Sequence, residues 1–171
     1  MEMFVVAIDH ALQLVMAPND CAQVSVAKHQ LKSLLEEQIP ARNVRFIAEE
    51  SDPAQTTIAQ ALAAAAKPSI PWKNIIMSEE ERVAAGIRDA LKSRPGHPDY
   101  ETMTYWIESR IPEDVVREGF FIDETLQGAK GARSILVLLG DMHVEVVAER
   151  LRERGYRAET NHDLVPVRRW E

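Results

Sequence analysis

The chain is poor in the features that most often announce a function. It has one cysteine, Cys21, so no internal disulfide can form, and without cysteine pairs a zinc-finger reading fails as well. That usage suits a reducing cytoplasm, the compartment expected here. No basic run occurs: 20 Lys and Arg stand against 27 Asp and Glu, a net charge of −7 at pH 7, which argues against nucleic acid or an anionic membrane as the main partner. No apolar stretch approaches the length needed to cross a bilayer. Met1 to Ile8 carries neither a basic segment nor a long apolar core, and reads as a first strand rather than an export signal. Gly-Ala-Lys-Gly at 128–131 lacks the spacing of a phosphate-binding loop and precedes a strand instead of following one. There is no internal repeat, no low-complexity tract and no linker that would mark a domain boundary.

What is present is enough for one core. With 171 residues, 46% of them hydrophobic, a single α/β domain over 1–171 is expected. Ile135 to Leu139 is a continuous apolar run ending at Gly140, the pattern of a strand buried on both faces. Val144, Val147, Ala148 and Leu151 follow at helical spacing, with Asp141 expected as N-cap and Gly155 as the stop. Met3 to Ile8 and Val44 to Ala48 are further buried strands, Trp72 to Met77 a shorter one, and Tyr156 to Glu159 a last one. Between them, Asp20 with Gln23 predicts a helix that Pro40 ends, and Asp52 with Pro53 predicts a second with its stripe at Ile58, Leu62 and Ala65 or Ala66. Ser78 with Glu81 forms a capping box before Val83, Ala84, Ile87, Ala90 and Leu91. Asp99 to about Leu126 is helical in pattern, with Met103, Trp106, Ile107 and Ile111 on one face and a kink or restart at Pro112. The expected fold is a mostly parallel sheet with helices on both faces and a helical excursion near residues 99–131.

Three of these strands end in polar groups: Asp9 and His10, Glu49 and Glu50, Asp141 and His143. In a parallel sheet those ends share one edge, where open α/β sheets place their ligands. Two imidazoles and a carboxylate converging there form a common ligand set for a divalent metal, which would lower the pKa of bound water. Because alternate strand side chains face opposite ways, Glu49 and Glu50 enter one crevice together only if the strand ends between them; Glu49 is taken as the inward one. The plainer readings are a turn histidine, a capping aspartate and a solvated glutamate pair. His29, His97 and His162 read as surface residues and Cys21 as inert. Arg110 and Arg117 could meet an anionic group at the edge, although helical arginines mostly face water, and Trp72 and Trp106 read as core.

Gly140-Asp141-Met142-His143, followed by Leu151 and Gly155-Tyr156, resembles the C-terminal signature of the TraB/GumN/Tiki group. Ala7-Ile8-Asp9-His10 would be the group's first motif, with Ala7 in place of its glycine, and Phe46-Ile47-Ala48-Glu49 would supply its acid. The group is similar in fold to the erythromycin-esterase and ChaN-like proteins. The resemblance implies a metal-dependent hydrolase, with peptidase activity in the animal members, and His10, Glu49 and His143 as the metal-site residues. It covers about the first fifty residues and the last forty.

Three functions are compatible with these residues. One is a small cytoplasmic hydrolase whose divalent metal is held by His10, Glu49 and His143, with Glu50 or Asp141 orienting a ligand or taking a proton, acting on a small molecule or peptide. Another is a non-catalytic module that binds a small ligand or haem in the same crevice. The last is an interaction protein using the helical excursion around Trp106. Each leaves room for a homo-oligomer.

Overall fold

The computed structural model describes residues 1–17, 20–87 and 112–162. Five strands, β1 (Glu2–Ile8), β2 (Phe46–Glu49), β3 (Trp72–Asn74), β4 (Ser134–Gly140) and β5 (Arg157–Asn161), form one sheet in the order β3-β2-β4-β1-β5. All neighbours are parallel. The helices are α1 (His10–Gln13), α2 (Ala22–Ala41), α3 (Ile58–Ala65), α4 (Glu79–Ala84), α5 (Pro112–Gly128) and α6 (Asp141–Glu153). The α/β architecture is therefore as expected.

Strand alternation builds a core on each face. Phe4, Val6 and Ile8 of β1 pack with Leu31 and Leu35 of α2 and Ile58, Ala59 and Ala63 of α3. Met3, Val5 and Ala7 pack with Phe121 and Ile122 of α5 and Val144, Val147, Ala148 and Leu151 of α6. Each large aliphatic or aromatic side chain so buried contributes about 1.5–3 kcal/mol. Helices α2 and α3, which follow β1 and β2, cover the first face, and α5 and α6, which precede and follow β4, cover the second. Right-handed crossovers force this division once the strand order reverses direction. The crevice such a reversal leaves lies at the carboxyl ends of β2, β4 and β1. Ile8 is in register with Gly140 and Glu49 with Leu138, so the residues just past those ends are neighbours.

Several helix starts differ from the sequence reading. Cys21, not Asp20, is the N-cap of α2, because the Asp20 carboxylate is taken by Lys28 Nζ at 2.7 Å and by the Ala17 amide at 2.9 Å. Pro40 lies inside the last turn of α2, which closes one residue later at Ala41. Asp52 spends its carboxylate on the Ala54 amide at 2.9 Å, forming a turn, and α3 starts at the cap Thr57. Gly140 is the N-cap of α6, and Asp141 is already its first residue. Strand β2 begins at Phe46 rather than Val44, and β3 stops at Asn74, whose side chain accepts from the Ile76 amide at 3.0 Å. The Ser78–Glu81 capping box is formed, and Gly155 follows α6 with φ +84, where a Cβ would be strained. The segment 88–111, which carries Leu91, His97, Met103, Trp106, Ile107 and Arg110, lies outside the described residues. Among the described residues no helix is long and apolar enough to cross a membrane.

Candidate functional site

The chain leaves β1 at Ile8 and turns at once into α1, a single turn closed by the Leu12 amide donating to the Asp9 carbonyl at 2.8 Å. One turn places His10 and Gln13 on the same side. Gln13 is 2% exposed and donates through Nε2 to the Glu50 backbone carbonyl at 2.8 Å and to Glu49 Oε1 at 3.2 Å. A backbone carbonyl only accepts, so this end of the amide is its NH2 and the other end is its oxygen. That oxygen lies 2.9 Å from His10 Nδ1, which must then be the donor. The network thus assigns the neutral imidazole its proton on Nδ1 and its lone pair on Nε2.

His10 Nε2 stands 3.7 Å from Glu50 Oε2, and the His10 side chain is 53% exposed. Glu50 is buried; its Oε1 accepts from Arg117 Nη2 at 2.8 Å, and its Oε2 from the Gly140 amide at 3.2 Å. Arg117 also donates to Asp114 at 3.3 Å. Gly140 explains itself by contact rather than by conformation. At φ −56 and ψ 141 any residue is comfortable, but a Cβ there would lie 3.0 Å from His10 Nε2 and 3.6 Å from Glu50 Oε2. His10, Gln13, Glu50, Ser51, Asp52 and Arg117 line a cleft of about 550 Å³, within the size range of small-molecule sites. Ser51 is among the lining residues, and its buried hydroxyl meets no hydrogen-bond partner among the described residues.

Glu49 lies beneath, not in, this cleft. Its Oε2 accepts from Thr57 Oγ1 at 2.6 Å and Trp72 Nε1 at 2.7 Å, and its Oε1 from Gln13. Burial pushes its carboxyl above the usual carboxylate range, with the three donors pulling the other way. Strand β2 ends at Glu49, so Glu50 is free of the alternation rule and is the carboxylate that reaches the cleft.

His143 belongs to another nest. It is buried on the first turn of α6, its Nδ1 is 3.1 Å from Glu118 Oε1, and it stands edge-on to Phe121 with ring centres 5.5 Å apart. Arg150 approaches Glu118 at 3.7 Å. Asp141 is turned to His162, 2.7 Å away, while Glu145 takes the other ring nitrogen at 2.8 Å. Hydrogen bonds that its ring donates to Asp141 and then to Glu145 raise the His162 pKa above its ordinary value. The site thus gathers His10, Glu50 and, one layer below, Glu49, but not His143 or Asp141.

The expected metal set does not fit these positions. Glu49 already serves three donors, His143 is committed to Glu118, and His10 and Glu50 are left as a pair. Among the described residues no three His, Cys, Asp or Glu side chains are grouped so as to hold a metal ion. Gln13 and Thr57 were the residues the sequence reading missed. His10 and Gln13 three apart after a strand was the available signal for the first. A second hollow of about 250 Å³, walled by Val15, Met16, Ile58 and Leu62, offers hydrocarbon, and its buried cation Lys28 is held by Asp20. The chain matches no family model, no curated protein and no solved structure.

Proposed function

We propose that the protein is a hydrolase acting on a polar small molecule or peptide in the cleft over β1, β2 and β4, with His10 as the group that takes the proton from the attacking water. The single observation that carries this reading is the fixed tautomer of His10. Gln13 holds Nδ1–H, which leaves the lone pair on Nε2 of a half-exposed ring that lines the cleft. Glu50 Oε2, opposite Nε2, is placed to offset the positive charge that the imidazole acquires on taking the proton. Gly140 and Arg117 hold that carboxylate in position. The proton then returns from Nε2 to the leaving group. The TraB-like resemblance implies the same reaction class, hydrolysis, and differs in routing it through a metal.

The test is a panel of chromogenic esters, amides and phosphoesters, offered to the full chain and to His10→Asn. Turnover falls about 10²–10⁴-fold in the variant, the usual worth of a positioned proton-transfer group, while circular dichroism and Tm stay in place. Equal turnover by His10→Asn removes the proposal. So does activity that a chelator abolishes and a divalent metal restores, which would favour the metal-dependent reading instead.

A further inference from the structure

Away from the cleft, the carboxyl end of β5 meets the first turn of α6 through a single imidazole. His162 follows β5 directly; its Nδ1 lies 2.7 Å from Asp141 Oδ1 and its Nε2 lies 2.8 Å from Glu145 Oε1. Asp141 and Glu145 stand four residues apart on α6, a spacing at which like charges repel each other. Ionised carboxylates accept and do not donate, so both ring nitrogens have to carry protons, which only the imidazolium provides. A neutral ring has one N–H and one lone pair. Loss of the proton therefore turns attraction at both nitrogens into attraction at one and repulsion at the other. Among the described residues, the charges that act on the ring are those of Asp141 and Glu145. Thr160 of β5 also hydrogen-bonds to Glu145, and Arg152 acts on that carboxylate through its charge.

We infer that His162 is a proton-operated clasp: with both ring nitrogens protonated it ties the carboxyl end of β5 to the first turn of α6, and it lets go when the imidazole becomes neutral. Among the described strands β5 lies at the edge of the sheet and pairs with β1 alone, so this tie adds to a one-sided hold. The clasp is independent of the chemistry proposed for the cleft. Its two carboxylates raise the ring's pKa, so the stability it adds is fully present below the unfolded value of 6.5 and is lost as pH rises through the native one. On the acid side the His162 bond lowers the Glu145 pKa, and that half of the clasp holds until pH falls through the lowered value.

The full chain, labelled with ¹⁵N-histidine, is titrated with acid and base, and the His162 ring signal is identified by its absence from His162→Gln. The midpoint lies above 6.5, and below it both ring nitrogens show the protonated shift. Asp141→Asn lowers the midpoint most, Glu145→Gln lowers it less, and about 1 M salt lowers it in the parent, because the ring is 41% exposed. Urea unfolding of the parent and of His162→Gln then reads the tie itself. The parent is the more stable below 6.5, and the gap narrows as pH rises through the His162 midpoint. A midpoint at or below 6.5, or one that neither carboxylate variant moves, overturns the inference. A raised midpoint with a gap that pH leaves unchanged overturns it as well, since His162 would then be a surface ion pair that holds nothing.

Discussion

His10 and His143 each stand a few residues past a buried strand, and each faces a buried glutamate, yet one pair is open and the other closed. The His10 side chain is 53% exposed beside Glu50, whereas His143 is 9% exposed beside Glu118. The helix α5 makes the difference. Its consecutive residues Arg117 and Glu118 point about 100° apart, one toward Glu50 and the other toward His143. Phe121, one turn on, touches both nests: it meets the His143 ring edge-on, and the Arg117 guanidinium lies over its ring at 5.6 Å. A histidine after a strand is thus left open to solvent or closed off according to what the opposing helix brings to it.

Replacing each histidine separates the two roles most sharply. His143→Ala removes a hydrogen-bond partner from the buried Glu118 and the ring packed on Phe121, at a cost of about 2–4 kcal/mol. Chemical denaturation should show that loss, and any fall in turnover should track the folded fraction. His10→Ala, at a half-exposed position, should move stability by no more than about 0.5 kcal/mol. If His10→Ala were the more destabilising of the two, the division into an open and a closed nest would be wrong.

A smaller effect isolates the approach of His10 to its carboxylate. Gly140→Ala suits the local backbone but puts a methyl group 3.0 Å from His10 Nε2, and the exposed imidazole can swing away from it. Turnover should drop about 10–100-fold, since an ångström-scale displacement of a catalytic group costs this much. Tm should hardly change. Unaltered turnover would mean that the placement of Nε2 against Glu50 is not what the chemistry uses.

The fold was readable because buried parallel strands and amphipathic helices leave strong local patterns: Ile135–Leu139 and the Val144-to-Leu151 stripe say what they will pack against. The convergence of His10 and Glu50 followed from strand ends sharing an edge. What the sequence hid depends on contacts between distant elements. Asp52-Pro53 is a stronger local cap signal than Thr57, but Thr57 both caps α3 and donates to Glu49, and the buried carboxylate decides the matter. The division of labour between Glu49 and Glu50 turned on where β2 ends, a boundary no periodicity fixes. Gln13 sits in a four-residue turn too short to show a period. Arg117 and Glu118 could be placed on a helix, but which strand end each would meet depended on how α5 crosses the sheet.

The least of the expected effects concerns the carboxylate that supports both ends of this arrangement. Burial holds the Glu49 carboxyl above its usual range despite its bonds to Thr57, Trp72 and Gln13. The native state then binds a proton more tightly there than the unfolded chain does. The resulting stability is present below the unfolded value of 4.5 and is lost as pH rises through the native one. Glu49→Gln cannot ionise. Its oxygen can still accept from Thr57 and Trp72, but its NH2 opposes the NH2 of Gln13, so the variant begins at a disadvantage. Tm of both proteins, followed from about pH 5 to about pH 8, should show that disadvantage shrinking as the parent ionises. Because the side chain bonds to Gln13 and not to His10, on which it acts only through its charge, turnover should change less than in Gly140→Ala. A gap that stays constant or widens with pH would show that Glu49 is ionised throughout, held by its three donors, and that the floor of the open nest carries a full charge.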